Sequence, residues 1–115
     1  MNRRGHIIFT LIFTSVAIYA IDRYILTLPY AIMGLGTAEA VLASALPDIF
    51  EPGGRSDHRG GFHSWRALAA CLLICAIGLY MTQSNLWYFH ALFFMPWGFA
   101  THLLADALSP SGLPF

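Results

Sequence analysis

His102 and Asp106 are four residues apart in an apolar stretch. On a helix their side chains leave one stripe about a turn apart and can reach a single ion. The segment "SDHRGGFHS", residues 56–64, sets Asp57, His58, Arg59 and His63 between long apolar runs. His58 and His63 are five apart across Gly60 and Gly61, a spacing that excludes simple helical adjacency but lets a bent loop turn both imidazoles inward. Two imidazoles near a carboxylate suit zinc or another divalent ion, with Asp48 or Asp57 supplying oxygen. The same loop also reads as a wet connector, its histidines hydrated at an interface and Arg59 against lipid phosphate. A histidine site ligates only with neutral rings, so metal affinity is expected to rise with pH through about 5 to 7.

The remainder of the chain is what must hold these groups in place. Its 115 residues are 57% hydrophobic and 10% charged, with a mean hydropathy of +0.63. That is more than a soluble domain of this length needs for a core, so lipid is the expected solvent for most side chains. The basic residues are all arginine and balance the acidic ones, which excludes the basic face of a nucleic-acid binder. Cys71 and Cys75, at i, i+4 in an apolar run, read as small packing residues, since neither zinc-ribbon spacing nor a secreted disulfide pattern is present. Arg3 and Arg4 ahead of the apolar residues 7–20 have the look of a signal peptide, but no A-x-A site follows and further apolar spans do. A retained first span is expected.

The fold class expected is all-α: an integral membrane bundle of about four transmembrane helices in a single domain, 1–115. Spans fall at about 6–26, 28–47, 65–82 and 88–108, with a polar loop at 48–64, because the apolar run over 7–46 is about twice what crosses a hydrocarbon core of roughly 30 Å. Arg3, Arg4, Arg55, Arg59 and Arg66 flank span ends that share one side, which places both termini and the 48–64 loop in the cytoplasm. His6, Asp48, the His-rich loop, His102 and Asp106 then lie at one membrane face. Small residues from Gly34 to Ser44 let the second span pack closely. Glu39, some seven residues from the end of that span, either reaches up to His6 or His102 or bonds a neighbouring helix. His90, beside Trp87 and Tyr88, reads as an interfacial histidine of the opposite face. Trp65 and Trp97 read as anchoring or packing residues, and Asp22 with Arg23 as the outer boundary.

The motifs "GHIIF" (5–9), "LPDI" (46–49), "HRGGFHS" (58–64) and "THLLADALSPSGLP" (101–114) occur in this order between apolar spans, nearly from end to end of the chain. The chain thereby resembles the YdjM-like family of inner-membrane, metal-dependent hydrolases. The resemblance implies a helical membrane protein whose His and Asp residues bind a divalent metal ion, zinc first among them. The matching ligand positions are His6, Asp48, His58, His63, His102 and Asp106. Where the family reads P-D-I-D-H this chain has Pro47-Asp48-Ile49-Phe50-Glu51, and Gly61 and Phe62 stand at its Phe and Thr positions. Loss of one carboxylate removes a ligand for a second metal while leaving a mononuclear site, with Glu51 as a partial replacement.

On that reading Asp57 or Glu51 is the general base, Arg59 stabilises developing negative charge, and the substrate is a lipid or other phosphoester met at the cytoplasmic face among membrane lipids. A rival reading is a non-catalytic, metal-stabilised subunit or scaffold with partners in a membrane complex. A third, a transporter subunit with Glu39 and the histidines on an ion path, requires polar groups at several depths, whereas the sequence gathers them at one face.

Overall fold

In a computed structural model, which describes residues 3–50, 64–82 and 90–109, every regular element is helical. Helix α1 is Arg3–Tyr24 and α2 is Tyr30–Ala43. The short α3 is Leu46–Phe50, α4 is Trp65–Thr82, and a π-helical turn, His90–Phe94, runs into α5, Met95–Ala107. By length and composition, Arg3–Tyr24 and the stretch Tyr30–Phe50 can each cross a membrane. Trp65–Met81 is a shorter apolar helix.

Local chemistry sets the breaks. Asp22 turns the chain after α1 by accepting the Leu28 N–H at 2.8 Å, and Pro29, extended at φ −61°, leads into α2. Pro47 has no N–H to offer the Ala43 carbonyl, so the second span does not run on as one helix. It pauses at Ser44 and Ala45 and resumes as α3, which carries Asp48. Ser64 caps α4, its Oγ accepting the Ala67 N–H at 3.1 Å. Pro96 cannot bond the Leu92 carbonyl and its ring crowds that oxygen, so the turn ahead of α5 widens into π geometry. Gly78 of α4 lies against the same carbonyl, where a Cβ would overlap it.

Helix α5 is the centre of the bundle, packing on α1, α2 and α4. Phe93 and Phe94 close one core with Ile18, Ile21, Leu28 and Cys75, while Leu68, Ala100 and Leu103 form another nearer the end of α5. The first half of α1 is built inside out. On α1 the buried stripe starts His6, Thr10, Thr14, and the exposed side carries Ile8, Leu11, Ile12, Phe13 and Val16. Thr10 Oγ1 and Thr101 Oγ1 are 2.8 Å apart, and the Trp97 indole N–H donates to Thr14 Oγ1 at 3.1 Å. Thr101 also donates to the Gly98 carbonyl at 2.8 Å, so the proton in the threonine pair comes from Thr10. From His6 to Thr14 this polar seam runs about 12 Å at 1.5 Å per residue.

The α2–α5 contact depends on Gly98. A Cβ there would overlap the Ala40 carbonyl oxygen and come within 2.8 Å of Ala43 Cβ. Gly98→Val is therefore expected to destabilise the bundle by about 1–3 kcal/mol, since neither the Ala40 backbone nor the seam behind α5 can yield. Thermal unfolding in mild detergent measures it; an unchanged midpoint would mean that the two helices do not approach this closely.

A candidate metal centre at the end of the bundle

Three buried side chains from opposite ends of the chain meet where α1 begins and α5 finishes. His6 Nε2 is 3.0 Å from Asp106 Oδ1, and His102 Nε2 is 3.2 Å from Asp106 Oδ2. One carboxylate thus faces two imidazoles, each oxygen toward a different ring. The rings stack with centroids 4.1 Å apart and planes 20° from parallel. His102 and Asp106 are each 2% exposed. They share a face because they are one helical turn apart on α5, and His6 reaches them because the buried stripe of α1 lies along that helix.

Asp48 supplies a further oxygen. Its Oδ1 lies 3.5 Å from His102 Nε2, and its side chain is 62% exposed at the rim. Phe50, where the family resemblance expects an aspartate, has its ring centroid 6.4 Å from that of Phe99 on α5. That position carries an aromatic contact instead of a ligand.

The donor set fits a divalent ion. Donor atoms of His6, His102 and Asp106 all lie within 4.8 Å of one another. His6 and His102 approach different oxygens of Asp106, so a carboxylate shared between them would let all three side chains reach one ion. Two imidazoles and a carboxylate are a set common to zinc and other first-row divalent ions, and three protein ligands leave a tetrahedral position for water or substrate.

Of the ligand positions expected from the sequence, His6, His102 and Asp106 come together and Asp48 borders them. His58 and His63, and the expected catalytic residues Glu51, Asp57 and Arg59, lie outside the described residues. Glu39 does not serve His6 or His102: its Oε2 is 2.9 Å from His90 Nδ1, so α2 is bonded to the turn before α5. His90 is therefore half of an interhelical pair. Trp97, expected as an anchor or filler, stacks on Phe93 with centroids 5.5 Å apart and also holds Thr14.

His6, Asp48, His102 and Asp106 share one end of the bundle, and further polar groups lie away from it. Thr10, Thr14 and the Glu39–His90 pair lie deeper, His90 about 18 Å from His102 along the helix. The signal for the seam was available in His6, Thr10 and Thr14 at four-residue spacing inside an apolar run.

A cavity of about 540 Å³ opens beside the cluster, bordered by His6, His102 and Asp48 at one side. Set against protein-family models, curated proteins and solved structures, the chain matches none. Its class is thus given by fold and site: an all-α protein with a buried His/His/Asp cluster able to hold a metal ion.

Proposed function

We propose that this chain is an inner-membrane, metal-dependent hydrolase related to the YdjM-like family, acting on phosphoester or lipid substrates at the cytoplasmic face. The observation that carries the reading is the His6–His102–Asp106 cluster, buried yet bordering a cavity. The inside-out α1 supports the membrane setting: threonines and an imidazole are buried while Ile, Leu, Phe and Val face outward, the reverse of what water favours.

His6, His102 and Asp106 would hold the ion, with Asp48 as a fourth oxygen or an acceptor beside it. When bound, zinc or a similar ion supplies a water whose pKa falls to about 7 and a Lewis acid for a phosphoryl or acyl oxygen. Asp106 lies against both imidazoles at their Nε2 atoms; to hold the ion those nitrogens would face it unprotonated, so binding would release protons. Asp48, exposed at the rim, is placed to accept a proton from water in the cavity. Burial of α5 keeps bulk water from the inner side of the cluster.

Elemental analysis of protein purified in mild detergent is expected to find about one divalent ion per chain, and His102→Ala none. Hydrolysis of lipid, nucleotide or phosphomonoester substrates is expected to be chelator-sensitive and restored by the metal. Stoichiometric metal without such hydrolysis would favour the non-catalytic subunit, a reading supported by Phe50 at an expected carboxylate position. Metal-free protein sinks both.

A further inference from the structure

The cavity beside the cluster has two kinds of wall. Ile7 of α1 and Val41, Leu42, Ala45 and Ile49 of the α2–α3 segment make an apolar groove, and Arg3 stands on the helix turn just before His6. Leu42 and Ile49 are 75% and 64% exposed, so the groove is continuous with the apolar outer surface of the bundle. Arg3 is exposed, and no carboxylate among the described residues forms an ion pair with it. An exposed guanidinium at the head of an apolar groove, one turn from a cluster able to hold a cation, matches an amphiphile that is anionic at one end.

The geometry points to a phospholipid subsite: Arg3 binds the phosphate of a lipid entering sideways from the bilayer, and the Ile7–Val41–Leu42–Ile49 groove takes the start of its acyl chain. The assignment rests on the membrane-embedded metal site proposed above and names its substrate class. Arg suits the role because its planar fork bonds two phosphate oxygens at once and keeps its charge at an interface. A volume of about 540 Å³ is within the 300–1,000 Å³ usual for ligand sites, enough for a headgroup and the first part of a chain but not for a whole lipid. The remainder of the chain would lie along exposed Ile8, Leu42 and Ile49, as it does in the leaflet.

Native mass spectrometry of the full chain tests this, because lipid and metal adducts are counted in one spectrum. Three probes separate the contributions: dioleoyl phosphatidylglycerol, dioleoylglycerol without the phosphate, and inorganic phosphate without the chain. Wild type is expected to bind one phosphatidylglycerol saturably and the other two at least about tenfold more weakly. Arg3→Gln and Val41→Trp, which removes the charge or fills the groove, should each weaken phosphatidylglycerol by about tenfold or more while metal content stays at the wild-type level. If Val41→Trp loses metal, the exposed Arg3→Gln decides alone. Lipid binding that ignores both variants, or dioleoylglycerol binding equal to phosphatidylglycerol, overturns the subsite even in metal-loaded protein. Variant-sensitive lipid binding by metal-free wild type keeps the subsite and removes the metal centre.

Discussion

Asp106→Asn should abolish tight metal binding at the candidate centre while leaving the bundle folded. The substitution keeps the shape of the side chain and one oxygen that still accepts from His6 Nε2, but it replaces the other oxygen, 3.2 Å from His102 Nε2, with an amide NH2 that cannot ligate. Metal affinity is expected to fall at least about 100-fold, more than the loss of an orienting partner usually costs. Thermal stability of the metal-free protein should change by less than about 1 kcal/mol. Asp106→Ala goes further: two imidazoles are left in a site that is 2% exposed at Asp106, without the carboxylate that joins α1 to α5. That variant should lose the metal and about 2–4 kcal/mol of stability as well. Titration of both variants with zinc, followed by unfolding in detergent with and without chelator, separates ligation from helix bridging. An Asp106→Asn protein that binds zinc as tightly as wild type would remove the carboxylate from the ligand set.

The second large effect is expected at the Glu39–His90 pair, far from the centre. Each side chain is about a quarter exposed, at 24% and 26%, and the 2.9 Å bond joins α2 to the π-helical turn. Removing one partner takes away the bond between α2 and the turn before α5. Glu39→Leu and His90→Leu are each expected to cost about 1–3 kcal/mol, less than a fully buried pair because both side chains are partly exposed. The double replacement should recover most of that loss, since two leucines fill the gap without stranding a polar group. A double-mutant cycle reads the coupling directly. Additive single losses, with no coupling, would mean that the bond contributes little beyond packing. Metal content should be unchanged in all three proteins, which sets this pair apart from the cluster at the other end.

The all-helical class was legible because apolar runs interrupted by Asp22, Pro29, Pro47 and Ser64 leave few other ways to satisfy the backbone. The pairing of His102 with Asp106 was legible from four-residue spacing alone. Asp48 beside them was expected from its place at a span end, but its distance from His102 depends on where Pro47 breaks the second span. The partner of Glu39 was not legible. Which helix it faces is decided by the close approach of Ala40 to Gly98 and by the wide turn that Pro96 forces on residues 90–94. Neither feature appears in a periodicity of 3.6, and both rotate side chains away from where an ideal helix would put them. The polar seam was missed for another reason: threonine counts as neutral in a search for apolar faces, yet at Thr10 and Thr14 it is the face that packs.

The bond between His6 and Asp106 spans 100 residues of chain, and that separation carries a cost in time. At ribosomal rates of about 5–20 residues per second, α1 waits roughly 5–20 s for α5 to be made. Through that interval His6, Thr10 and Thr14 lack Asp106, Thr101 and Trp97, the α5 groups that later bond them. Until then α1 has the earlier-made residues near the start of α2 to pack on, through Ile18 and Ile21. The cluster therefore acts as a clasp that shuts after the rest of the bundle is laid down, and a chain truncated before α5 would lack His102 and Asp106 and never form the site.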